Sequence, residues 1–325
     1  MFSRSGLLFI ICLFLASGSI RNENIPFDRY VRYSEILEYL EKLETRYQDL
    51  VCVKNYGLSY ENRNLTLITI SSGGSDGKPL IFVDAGVHGR EWLGPAQALY
   101  IIDQLVQNPK NRALVERVDW VIVPLANPDG YEYTHTTDRS WRKNRSKGKI
   151  CDGVDLNRNF DVEWTSSDDE CGIFYPGTKP FSEPETQALS QVISHYANRT
   201  RLYLSIHTAA QGFLYPFGHS NSTPENEAEL RQLGIEAAEA VYNVNKTVYR
   251  VGSSAGIVNT GSGVSRDWVY SVLGIKLAYT VELEAYVNTT YEGRFEMPPE
   301  RILGVVSEVF EAIKVFHDYV QRKFS

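Results

Sequence analysis

Four short apolar runs, Leu80 to Val83, Trp120 to Pro124, Leu202 to Ile206 and Leu277 to Val281, recur along the chain with helix-like stretches between them. Runs of this length, bounded by polar residues, read as strands buried on both faces. Tyr33 to Tyr47 places Ile36, Leu37, Leu40 and Leu43 on one face at helical spacing, and Trp92 to Val106 does the same with Leu99, Ile102 and Leu105. A capping-box pattern, Ser182-Glu183-Pro184-Glu185, opens a helix over Thr186 to Tyr196, and Thr223-Pro224 opens another toward Tyr242. Pro298-Pro299 leads into a closing helix with the stripe Ile302, Val305, Val306, Val309, Phe310 and Ile313. This alternation predicts an α/β single domain, a mixed, largely parallel twisted sheet sandwiched between helices. In such sheets ligands bind beyond the carboxyl ends of the strands, so the polar residues just past each apolar run are where chemistry is sought.

After the first run comes His88, with Glu91 three residues on at the presumed start of a helix. That spacing lets an imidazole and a carboxylate converge on one ion, although H-x-x-E alone is a weak signal. His207 stands immediately past the third run. Together His88, Glu91 and His207 make a His2Glu set with one open position, the arrangement of a catalytic zinc site. His135, His195, His219 and His317 lack such a setting and read as surface or packing residues. Glu282 closes the fourth run, where a carboxylate is costly unless paired or used, and it is the candidate base for deprotonating a water. The loops after the second run supply Arg139, Arg142, Asn157 and Arg158. A guanidinium that forks onto a carboxylate, with an amide donating beside it, is how a free chain terminus is held.

Composition narrows the field further. The 325 residues are 43% hydrophobic and 22% charged, which excludes disorder as the main state. Forty acidic residues against 33 basic ones give a formal charge of -7 and no general positive field, so nucleic acid is excluded as a partner. Residues 1–19 read as a secretory signal, with Arg4 ahead of an apolar run too short to span a bilayer, so the mature chain, residues 20–325, is expected to be secreted, extracellular, monomeric and without a membrane anchor. Cys12 leaves with the signal, and the remaining three cysteines require one free thiol. Cys151 and Cys171 sit in loop sequence and are expected to form a bridge worth about 3 kcal/mol in the loop-entropy treatment. Cys52, in the run Leu50 to Val53, is expected to be a buried, inert thiol. Glycan acceptor triplets begin at Asn64, Asn144, Asn198, Asn221, Asn245 and Asn288.

The chain resembles the zinc carboxypeptidases of the pancreatic A and B type. The resemblance is carried, in order, by Gly86-Val87-His88-Gly89-Arg90-Glu91-Trp92, Asn127-Pro128-Asp129-Gly130-Tyr131, Trp141-Arg142-Lys143, Gly153-Val154-Asp155-Leu156-Asn157-Arg158-Asn159-Phe160, Tyr175-Pro176-Gly177, Ser205-Ile206-His207, Tyr215-Pro216-Phe217-Gly218 and Thr280-Val281-Glu282-Leu283. It implies one Zn2+ on His88, Glu91 and His207, Glu282 as general base, and Arg142 polarising the scissile carbonyl. It also implies Asn157 and Arg158 as the grip on a substrate's terminal carboxylate, with Arg90 and Arg139 further along the substrate path. The substrate implied is the C-terminus of a peptide or protein.

Three departures from that family shape the expectation. Asn259 stands where the family has a tyrosine that closes over bound substrate, which raises the alternative of a weakened or inactive carboxypeptidase-like binding protein. Arg266 occupies the position that sets pocket preference, and a guanidinium there predicts release of C-terminal Glu or Asp unless it is consumed by Asp267 or Glu284. No room for an inhibitory prodomain is expected between the signal and the catalytic region. A zinc amidase acting on small acyl amino acids is a second alternative.

Overall fold

The computed structural model describes residues 25–73, 77–258, 260–286 and 290–325. The signal region, Asn288 and Asn259 lie outside the described residues. In chain order the elements are α1 (Tyr33–Arg46), β1 (Val51–Leu58), β2 (Asn64–Ile70), β3 (Leu80–Ala85), α2 (Leu93–Val106), β4 (Asp119–Val123), α3 (Pro128–Thr136), α4 (Pro184–Tyr196), β5 (Thr200–Thr208), β6 (Gly212–Tyr215), α5 (Glu227–Asn245), β7 (Arg250–Ser253), α6 (Ser254–Ile257), α7 (Ser265–Ser271), β8 (Ala278–Leu283) and α8 (Pro299–Phe324).

All eight strands join one sheet, ordered β1-β2-β4-β3-β5-β8-β6-β7. The four predicted runs are its centre, β4-β3-β5-β8, and these strands pair in parallel. Their burial explains why they were legible: every residue of β3 and β4 is buried, so each reads as unbroken apolar sequence. The antiparallel pairings β1-β2, β2-β4 and β6-β8, with β7 parallel to β6 at the edge, complete the sheet. The outer strands escaped the sequence reading because β1 mixes buried and exposed positions without clean alternation, and β6 and β7 are four residues long.

Helices flank this sheet, and α8, whose predicted stripe is buried, packs against both α2 and α5. Burying one such side chain is worth about 1.5–3 kcal/mol. Two helix starts differ from expectation. Helix α4 begins at Pro184 with Glu183 at the cap position, because the Ser182 hydroxyl is turned to Glu183 Oε1 (2.6 Å) instead of the helix backbone. Helix α5 begins at Glu227, beyond the turn at Pro224. Among the described residues no helix is long and apolar enough to cross a membrane.

The Cys151–Cys171 bridge forms as expected. Cys52 does not follow expectation: it is exposed, because β1 is an edge strand and position 52 points away from the core.

Candidate metal centre and substrate cleft

The parallel centre puts the carboxyl ends of β3, β5 and β8 at one edge, and a cleft of about 430 Å³ opens there. Gly86 turns the chain out of β3 at φ +66°, where a Cβ would meet Leu125 at 2.6 Å. The turn delivers His88 and Glu91 to the cleft. His207 and Glu282 are register partners within β5 and β8, one residue before each strand ends.

His88 Nδ1 lies 2.7 Å from Glu91 Oε1, and His207 Nδ1 lies 3.2 Å from His88 Nδ1 and 3.1 Å from Glu91 Oε2. These three side chains are each at most 3% exposed. Two imidazole nitrogens and a carboxylate aimed at one point are a poor hydrogen-bonding group but a fitting donor set for a borderline-soft divalent cation. The His88, Glu91 and His207 ligand atoms all lie within 4.8 Å of one another. Their outward faces are held as well. His88 Nε2 meets Asp155 Oδ1 at 3.1 Å, and His207 Nε2 meets Ser205 Oγ at 3.0 Å, which in turn donates to Asp84 Oδ1 at 2.7 Å. Such outer contacts set the tautomer and orientation of metal-binding imidazoles.

Asp155 also anchors Arg142, whose Nε and Nη2 lie 3.0 and 2.9 Å from Asp155 Oδ2. Burial opposes charge on Asp155, but Arg142 and His88 hold its carboxyl well below the usual range. Arg142 Nη1 is left facing the centre, 3.6 Å from Glu91 Oε1. Burial pushes the Glu282 carboxyl above its ordinary value against the pull of His207. That direction suits a proton acceptor, since a very acidic carboxylate is a weak base.

Asn157 Oδ1 accepts from the Ser265 amide at 2.9 Å, which leaves the Asn157 Nδ2 hydrogens toward His207 and the cleft. Arg158 is positioned through its Nη1 bond to the Asn157 carbonyl, 2.7 Å, and passes so close to Gly261 that a Cβ there would lie 2.9 Å from the guanidinium carbon. Arg266 is 3% exposed and lines the cleft. The internal pairing with Asp267 does form, Arg266 Nε and Nη2 bonding Asp267 Oδ1, and Arg266 Nη1 bonds Thr280 Oγ1, while Glu284 pairs with Arg301. Among the described residues this uses three of five guanidinium hydrogens and leaves one on each terminal nitrogen.

Arg90 lines the cleft, whereas Arg139 does not: its Nη1 and Nη2 each donate at 2.8 Å to the carbonyls of Arg90 and Phe295, and its plane lies over Trp92. Phe174, Arg250, Tyr291 and Arg294 also line the cleft and were not read from sequence. They come from segments without strand or motif signals. Asn144, an acceptor triplet, is fully buried, and its Nδ2 donates to Glu183 and Glu185 at 2.7 and 3.0 Å. The amide is consumed inside the protein and is not open to a glycan in this fold.

Comparison with known proteins agrees with this arrangement. A profile described as zinc carboxypeptidase matches residues 36–312. The chain is 37% identical over 303 residues to carboxypeptidase B of Astacus astacus, covering 91% of this chain and 98% of that one. It is 37% identical over 311 residues to carboxypeptidase O of Bos taurus, covering 93% and 82%. The crystal structure of carboxypeptidase A from Helicoverpa armigera superposes with a TM-score of 0.88 at 33% identity, covering 95% of this chain and 78% of that one. A fold, a buried His-Glu-His cluster and relatives matched along most of their length lead to one assignment: the chain belongs to the zinc carboxypeptidase family, whose members are metal-dependent hydrolases acting on peptide C-termini.

Proposed function

We propose that this chain is a secreted exopeptidase that removes the last residue of peptides and proteins, favouring C-terminal Glu and Asp. The observation that carries the reading is the convergence of His88, Glu91 and His207 beside Glu282 and Arg142, with Asn157, Arg158 and Arg266 lining the same cleft.

One zinc ion held by His88, Glu91 and His207 would supply Lewis acidity and bring the pKa of a water to about 7. Glu282 takes the proton of the attacking water and returns it to the leaving amine nitrogen. Arg142, kept charged by Asp155, donates from Nη1 to the oxygen of the scissile carbonyl as negative charge develops there. Asn157 and Arg158 bind the terminal carboxylate, which restricts cleavage to the final peptide bond. Arg266 offers its two remaining hydrogens to an acidic side chain at the pocket base and repels Lys or Arg. Export is supported by the charge and apolar pattern of residues 1–19 and by the Cys151–Cys171 bridge.

The test compares release of Glu, Phe and Lys from otherwise identical peptides, with and without a chelator. Chelator-sensitive release, fastest for Glu, is expected. Release unaffected by metal removal would sink the mechanism, and faster release of Phe or Lys would sink the preference alone.

A further inference from the structure

Beyond the residues that grip the chain end, the cleft holds cations that the proposed chemistry leaves unused. Arg90 and Arg294 both line it, and among the described residues neither pairs with a carboxylate. Arg90 is 4% exposed, its Nε has no hydrogen-bond acceptor, and its Nη1 reaches the Ser140 carbonyl only at 3.5 Å. A buried guanidinium whose acidic neighbour Glu91 is already committed to His88 and His207 is costly, and the cost is offset when a ligand supplies a partner. Arg294 is held at the same place by an Nη2 bond to the Ala209 carbonyl, 2.8 Å. The two guanidinium groups share one aromatic neighbour, Tyr291, with centroid distances of 5.5 and 5.7 Å, and Arg90 lies 4.1 Å from the Phe295 ring. The Phe295 ring shields Arg90 on one side, while Arg294 stays partly exposed and open to an anion.

The order of charges gives this cluster a direction. Arg90 precedes the metal ligand Glu91 in the chain and Arg294 is tied to Ala209, two residues past His207, so this pair flanks the metal ligands, whereas Arg158 and Arg266 gather at Gly261 and Gly218 on the end-gripping side. A peptide whose last residue sits by Arg158 and Arg266 runs past the metal ligands toward Arg90 and Arg294.

We infer that Arg294, beside Arg90, forms a second anion subsite that takes a Glu or Asp side chain within two residues upstream of the scissile bond. The inference rests on the reading of the cleft as a carboxypeptidase site and deepens it. The substrates that fit best are acidic tails with consecutive carboxylates, because each release exposes a new end still carrying an acid upstream.

The experiment uses two pairs of peptides with a common C-terminal residue, one pair carrying Glu or Gln next to the end and the other carrying Glu or Gln one position earlier. The full-length enzyme is expected to favour Glu about tenfold in kcat/KM in at least one pair, a difference of about 1.4 kcal/mol, and to lose the preference as salt rises. Arg294→Gln is expected to bring the ratio near one, and Arg294→Lys to keep part of it. Each ratio compares two peptides on one preparation, so loss of folded enzyme cancels. A ratio near one in the wild type, or an undiminished ratio in Arg294→Gln, overturns the inference. The same comparison made as Kd values on Glu282→Gln reads the subsite without turnover. Failure of the terminal preference shows separately, in peptides that vary only the last residue.

Discussion

Glu282 and His207 face each other as register partners in the parallel pairing of β5 and β8, so one sheet contact places the candidate base beside a candidate metal ligand. Neither side chain depends on a mobile loop for its position, and preorganisation of this kind is what proton transfer needs.

Replacing Glu282 with Gln keeps the shape and removes the proton acceptor. A fall in kcat of about 10²–10⁴-fold is expected, with bound zinc unchanged by elemental analysis. Near-wild-type turnover would remove Glu282 from the proposed role.

Asp155 touches both His88 and Arg142, so its loss acts on metal and oxyanion together. Asp155→Asn is expected to weaken zinc binding about 10- to 100-fold in a chelator competition, with a further drop in kcat at saturating zinc. An unchanged zinc affinity would show that His88 is oriented by other contacts.

Arg266 is the one cation at the pocket base whose charge reads the departing side chain in the proposed scheme. Arg266→Gln is expected to lower the ratio of kcat/KM for peptides ending in Glu over Gln by about tenfold or more. Because the change takes the guanidinium from buried Asp267, which keeps only the Gly218 and His219 amides and the His219 ring on its other oxygen, Arg266→Gln/Asp267→Asn serves as the better-folded form of the same test. A ratio that holds in both variants would assign the preference elsewhere.

Burial raises the Glu185 carboxyl from 4.5 to about 7. The folded state therefore binds this proton more tightly than the unfolded chain. Its contribution, on the order of 3 kcal/mol, is complete below the unfolded pKa and is lost as pH rises through about 7. Denaturant unfolding of wild type and Glu185→Gln between pH 4.5 and 7.5 should show a declining difference, wild type losing stability with pH relative to the variant. Parallel profiles would mean that Glu185 is ionised throughout.

Much of the fold was readable because its signals are local. The central strands are continuous apolar runs, and α1, α2 and α8 carry stripes at helical spacing, both set by residues within a few positions of each other. The chemistry-bearing residue types at the strand ends were equally visible, since a parallel sheet sends its carboxyl ends to one edge. The edge strands were not, because β1 lacks alternation and β6 and β7 are too short to stand out.

By itself the sequence determined which elements form and which donors arrive at the rim of the sheet. Tertiary structure decided what those donors meet. That Asp155 serves His88 and Arg142 at once, that the Asn144 amide is spent on two buried glutamates, that Arg139 pins backbone carbonyls while Arg294 lines the cleft, all depend on contacts between distant segments. His88 and His207 are 119 positions apart and meet only because β3 and β5 are neighbours in register. Local periodicity carries no record of such pairings, which arise from the packing of the whole chain.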